Sequence, residues 1–149
     1  MANKDFAFGL RPVRTLGGTA NFTANEYTIP SDASNAIYQG SLVIMHADGD
    51  VDIAAADSAD IVGVFNGCFY TDPTTGKPTH SNYYPGSIAA SDIVAQVYDD
   101  PRIVFEVQCD GTLPDTAVGE NADTTSTTGG STVTGLSSLR LIVTGKQCR

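Results

Sequence analysis

Basic residues are scarce in this chain: eight lysines and arginines stand against seventeen aspartates and glutamates, a formal charge of -9 over 149 residues. Phosphate binding needs a concentrated basic face, and eight scattered bases cannot build one, which argues against nucleic acid or an anionic membrane as the main partner. No stretch approaches the roughly 18 apolar residues of a membrane helix. The opening Met1-Ala2-Asn3-Lys4-Asp5-Phe6 lacks the apolar centre of a signal peptide. The expectation is a chain made in the cytoplasm without export. Its three cysteines are an odd number with no C-x-x-C pair, as in a reducing compartment. Cys68 and Cys109 lie within apolar runs, where cysteine acts as a small hydrophobe, and Cys148 is the one expected to be exposed and oxidisable. The sequon Asn21-Phe22-Thr23 reads as an accident of composition without a secretion signal. No long amphipathic helix and no G-x-S-x-G or S-x-x-K motif is present.

What the chain does have is an uneven distribution of charge. Asp32 to Asp123 holds fifteen of the seventeen acids with only Lys77 and Arg102 as bases, whereas the N-terminal segment carries Lys4, Arg11 and Arg14 among Phe6 and Phe8. Residues 1–23 show no sustained period of 2 or 3.6 and read as an extended N-terminal arm. A body that repels its own copies, led by a basic and aromatic arm, suits a protein that docks onto a larger assembly through Phe6, Phe8, Arg11 and Arg14.

Residues 24–144 read as a β-rich body. Leu42-Val43-Ile44-Met45-His46 and Val51-Asp52-Ile53-Ala54 flank Ala47-Asp48-Gly49-Asp50, a strong hairpin signal. Ile61 to Tyr70 predicts one long strand bent at Asn66-Gly67. Thr71 to Pro78 is a surface loop, and His80 to Tyr84 returns as a polar-aromatic strand or rim segment. Ile103, Phe105, Val107 and Cys109 alternate with polar or smaller neighbours after Ile93 to Tyr98, so one face is expected to be core. Residues 123–138, rich in Thr, Ser and Gly, are expected to form an exposed loop or hairpin. Leu139, Leu141 and Val143 predict a closing strand, and 145–149 a polar tail. Short strands at spacings near ten residues predict an all-β, single-domain β-sandwich or barrel of antiparallel strands. A chain of this size buries roughly 68–70 % of its unfolded surface, enough for a core without disulfides.

The candidates for chemistry each have a plainer reading. Asp48-Gly49-Asp50-Val51-Asp52 is spaced like part of a calcium loop, but an EF-hand needs glycine where Ile53 stands and an acid where Ala59 stands. A charged hairpin edge explains it better. His46 and His80 sit in no nucleophile motif and read as strand-surface histidines. Gly17-Gly18 and Gly129-Gly130 do not join a strand to a helix, so they are joints and not phosphate cradles. Tyr83 and Tyr84, with Tyr98, are a candidate contact surface, either an aromatic cluster across strands or a platform for a sugar. No catalytic centre, metal or cofactor is expected.

The segments Ala7-Phe8-Gly9-Leu10-Arg11-Pro12-Val13-Arg14, Asn25-Glu26-Tyr27, Val64-Phe65, Tyr70-Thr71-Asp72, Tyr98-Asp99-Asp100-Pro101 and Phe105-Glu106-Val107-Gln108 resemble small virion structural proteins of tailed bacteriophages, especially marine ones. Gly40-Ser41-Leu42-Val43, Asp48-Gly49-Asp50-Val51, Ala54-Ala55-Ala56 and Ile61-Val62-Gly63-Val64 are similar to the β-rich core of phage head decoration, or cement, proteins. The resemblance covers most of the chain but not the Thr/Ser/Gly segment or Lys146 to Arg149. It implies a non-enzymatic protein on the capsid exterior that binds the major capsid protein as a homo-oligomer, trimer or dimer, and stabilises the head by bridging capsomers. The alternatives are another virion component, such as a tail-tube or connector subunit, and a carbohydrate-binding β-module.

Overall fold

The computed structural model describes residues 6–18, 22–55, 58, 60–112, 114–120, 122–125 and 129–142. Ten strands follow in chain order: β1 (Arg11–Thr15), β2 (Asn25–Thr28), β3 (Ile37–Tyr38), β4 (Leu42–Met45), β5 (Val51–Ile53), β6 (Ile61–Thr71), β7 (Pro78–Ser81), β8 (Tyr83–Tyr84), β9 (Val94–Tyr98) and β10 (Ile103–Glu106). A single 3₁₀ turn, Asp115–Ala117, is the only helical element among the described residues. The fold is all-β. Every pairing between named strands is antiparallel.

The main sheet has the order β2-β9-β6-β4-β5, with β7 on the far half of β6. It curls until its outer strands approach at one parallel bridge, Thr28 to Asp50, where the Thr28 hydroxyl donates to the Asp50 carboxylate. One bridge does not close a barrel, and the described strands fit a β-sandwich instead. Two short ribbons, β1-β10 and β3-β8, accompany the main sheet.

Alternation decides what is buried. In β9, Ala95 and Val97 are fully buried between half-buried Val94, Gln96 and Tyr98, and in β5 Val51 and Ile53 point inward around Asp52. These side chains meet Val43, Phe65, Cys68, Ile37, Ile93 and Tyr84 in one core cluster. The bend expected at Asn66-Gly67 is a bulge: the register against β9 shifts between Phe65 and Gly67. Gly67 has φ +153°, and a Cβ there would stand 2.9 Å from the Ser81 carbonyl oxygen, so glycine is required at this point. The predicted hairpin forms as β4 and β5, with Gly49 at φ +88° in its turn.

Three sequence expectations need correction. The arm is not wholly free of the body, since Arg11–Thr15 is a strand paired with Ile103–Glu106. The alternation expected to run to Cys109 stops at Glu106; β10 joins the peripheral ribbon, not the main sheet, so Phe105, Val107 and Cys109 are only half-buried. The Thr/Ser/Gly segment is partly woven in. Gln39 N–H donates to the Gly135 carbonyl and Ser137 N–H to the Gln39 carbonyl, which buries Gly135, Ser137 and Leu139. The Ser41 hydroxyl meets that of Ser137 at 3.0 Å, so a polar pair is satisfied inside. Leu141 makes isolated bridges to Cys109 and Thr124 in place of a closing strand. Lys4, Asn21, Ala56, Val143, Cys148 and the 145–149 tail lie outside the described residues.

Candidate functional site

The N-terminal segment reaches the body through two glycines. The Leu10 N–H donates to the Gly40 carbonyl at 2.9 Å, and the Gly40 N–H donates to the Phe65 carbonyl at 2.8 Å. Gly9 and Gly40 both hold positive φ, and a Cβ on Gly9 would stand 2.7 Å from the Gly40 oxygen. The two backbones cross here in direct contact, as only paired glycines permit. Beyond this latch β1 runs along β10, ending where Leu16 N–H donates to the Arg102 carbonyl.

A bulge in β1 sets what the ribbon displays. Pro12 faces Phe105 and Arg14 faces Val104, which leaves Val13 as the extra residue. Val13 and Arg14 are consequently both turned to solvent. With Phe6 at 52 % exposure, Val13 at 44 % and Leu16 at 68 %, the ribbon displays three large apolar side chains beside Arg11 and Arg14. The Arg11 guanidinium pairs with the Glu106 carboxylate and lies 5.1 Å from the centre of the half-buried Phe8 ring. Both partners of that ion pair are well solvated, so it orients Arg11 more than it stabilises the fold. Phe8, Leu10, Gly40, Phe65, Tyr98 and Leu136 surround a 170 Å³ cavity where the arm lies over the body. Of the four arm residues named from sequence, Arg11 and Arg14 stand on the ribbon, Phe8 packs at the cavity beneath the Arg11 guanidinium, and exposed Phe6 precedes them in the chain. Val13 and Leu16 were not foreseen; the signal for them was the broken alternation around Pro12.

Beside the far end of β1, Thr15, Asn25, Asp99, Asp100 and Arg102 line a polar recess of 450 Å³. The Asn25 amide donates to both Asp99 oxygens at 2.9 Å and the Tyr27 hydroxyl donates at 2.6 Å. The hydrogen bonds from Asn25 and then Tyr27 hold the Asp99 carboxyl below the usual carboxylate range, and the same contact pushes the Tyr27 hydroxyl up. Asp100 is lowered by its hydrogen bonds from Arg102. These groups satisfy one another and fasten β2 to the end of β9.

The tyrosine surface must be corrected. Tyr84 is fully buried: its hydroxyl donates to the Ala33 carbonyl at 3.0 Å and accepts from the Ile88 N–H at 3.4 Å. Tyr83 is half-buried and stacked on Tyr38, ring centres 5.7 Å apart and planes within 10° of parallel, with Gly130 packed against the Tyr38 ring. Tyr98 lines the cavity under the arm instead. One inward and one outward tyrosine is what adjacent residues of a strand must give, so Tyr83 and Tyr84 cannot share a contact face.

The remaining candidates are dispersed. His46 lies 4.0 Å from Asp52 on the hairpin, and exposed His80 sits across from Phe69 on β7. Burial pushes the Cys68 thiol up to about 12, which keeps it protonated and unreactive, with Sγ 3.6 Å from the Tyr83 carbonyl. Asp50 is committed to Thr28, and no group of three or more His, Cys, Asp or Glu is placed to hold a metal among the described residues. Comparison with protein-family models, curated proteins and solved structures finds no match, so the reading of this ribbon rests on its own residues.

Proposed function

We propose that this chain is a decoration, or cement, protein of a tailed-phage head, which binds the outside of the assembled shell and stabilises it by bridging capsomers. The observation that carries the reading is the ribbon: apolar Phe6, Val13 and Leu16 stand in solvent beside Arg11 and Arg14 on an otherwise acidic protein. Such a strip is costly to leave in water unless a partner covers it. The body charge opposes unspecific clumping of free copies, while the arm supplies apolar anchors and an arginine for carboxylates of the major capsid protein. Many modest contacts, made by several linked copies at once, add up steeply through effective concentration. The resemblance to virion proteins points to the same role.

Because β1 is paired with β10 and covers part of the body, the informative truncation stops short of it. Removing residues 1–8 takes away Phe6 and Phe8 but leaves the Gly9–Gly40 crossing and β1 in place. The truncated protein is expected to stay folded, with a small drop in melting temperature from the lost Phe8 packing, and to lose co-sedimentation with expanded, DNA-free shells. Unchanged occupancy on shells would sink the arm's role, and full-length protein that never pellets with shells would move the reading to a tail or connector component.

A further inference from the structure

The outer face of β4 and β6 carries an apolar recess of 370 Å³, lined by Leu42, Ala55, Ile61 and Ala122 with Asp123 among its polar members. Strand alternation makes it. Val43 turns fully into the core, so Leu42 and Ile44 turn outward. Ile44 is flanked by Asp52 on β5 and by Ile61 on β6, and exposed Asp60 precedes Ile61. Asp123 lines the recess, whose apolar centre includes the 46 %-exposed Ile61, and Asp60 adjoins it in the chain, while Asp52 is already opposed by His46 at 4.0 Å. Arg140, whose backbone N–H donates to the Thr125 hydroxyl, is the base in the neighbouring segment, against Asp60 and Asp123.

The β1 ribbon is the complement of this recess. Val13 and Leu16 are exposed apolar side chains, and Arg14 between them enters no ion pair among the described residues. We propose that the recess receives the β1 ribbon of a second copy of this chain, with Val13 and Leu16 against Leu42 and Ile61, and Arg14 against the carboxylates of Asp60 and Asp123. Charge selects the occupant. Two bodies of net charge -9 repel at most orientations, and approach is favoured where one copy's arginine meets the other's acidic rim. The two surfaces differ, so the contact is heterologous, and a discrete oligomer requires that it close as a ring of three or more copies. It deepens the shell reading by naming the contact that joins copies on the shell, and it leaves Phe6, Phe8 and Arg11, on the other side of the bulge, for the capsid.

Sedimentation velocity on the full chain tests the contact. The expected result is a small discrete oligomer that weakens as salt rises. Arg14→Glu and Ile61→Glu should each weaken association by about tenfold or more, since each sets a carboxylate against the acidic rim or the apolar anchors. Mixed together, they should form a one-to-one heterodimer and nothing larger, because the intact recess of the first takes the intact ribbon of the second. Should Ile61→Glu lower the melting temperature, the double change Asp60→Asn with Asp123→Asn replaces it. A wild-type monomer at every concentration, association unmoved by the variants, or variants whose mixture stays monomeric would each overturn the contact. The shell reading fails separately: an oligomer with these properties that stays in the supernatant beside expanded shells upholds the contact and removes the shell.

Discussion

Tyr84 shows how much one position can differ from its neighbour. Tyr83 and Tyr84 are adjacent and chemically identical, yet one stacks at the rim and the other sits at zero exposure with its hydroxyl bonded on both sides. Tyr84→Phe keeps the ring and removes the donor to the Ala33 carbonyl. The Ala33 carbonyl keeps the Ser87 N–H at 2.8 Å, but the half-buried Ile88 N–H loses its acceptor, and urea unfolding should show a loss of about 0.5–1.5 kcal/mol. A loss within error would mean that water takes over the Ile88 N–H. Asp50 carries a similar lesson. The sequence presents it as one more charge on a hairpin edge, whereas its carboxylate takes the Thr28 hydroxyl and joins the two outer strands of the main sheet.

At the scale of the element, the β1 segment is decided by its crossing with Gly40. The strand itself is a poor one: it contains Pro12, carries a bulge and has a single partner strand. Gly40→Ala would place a Cβ 2.9 Å from the Leu10 nitrogen and the Phe8 oxygen at φ +86°, a strain of about 1–3 kcal/mol. The expected outcome is faster proteolysis and hydrogen exchange over residues 6–16 with smaller changes in β6 and β9, where core packing is independent of the latch. Uniform loss of protection across the sheet would show instead that the arm and body unfold as one unit. The hairpin β4-β5 and the long β6 were legible because each is a local pattern: a turn pair between apolar runs, and a continuous run broken at Asn66-Gly67. The strand in the arm was not legible, because nothing in Arg11-Pro12-Val13-Arg14-Thr15 alternates; its pairing comes from β10, some ninety residues away.

Over the whole molecule, several carboxylates fasten loops and strand ends. Asp92 holds the Thr71 N–H and hydroxyl, Asp72 holds the Thr74 N–H in the β6-β7 loop, Asp99 holds Asn25 and Tyr27, and Asp100 holds Arg102. In each case hydrogen bonds to the ionised form lower the carboxyl below its ordinary 3.8. The unfolded chain therefore takes up protons before the folded one does. The stability these ties contribute is fully present above the ordinary carboxylate range and is lost as pH falls through the lowered values. Melting temperature should be level from neutral pH to about pH 5 and then decline steadily toward pH 3, and Asp99→Asn should make that decline shallower. A melting temperature independent of pH below 4 would show that these hydrogen bonds persist equally in the protonated state.

The sequence by itself determined the all-β class, the central hairpin, the bend in β6, the inward placement of Cys68 and the acidic body with its basic leader. Those properties follow from composition, period-2 alternation and turn chemistry, which act over a few residues at a time. Only the tertiary structure decided that Leu136 to Leu139 threads beside Gln39, that Tyr84 is core, that β10 leaves the main sheet for β1, and that Val13 and Arg14 face solvent together. Each depends on a partner strand far away in the chain, because a strand's buried face is chosen by what packs against it and not by its own alternation alone.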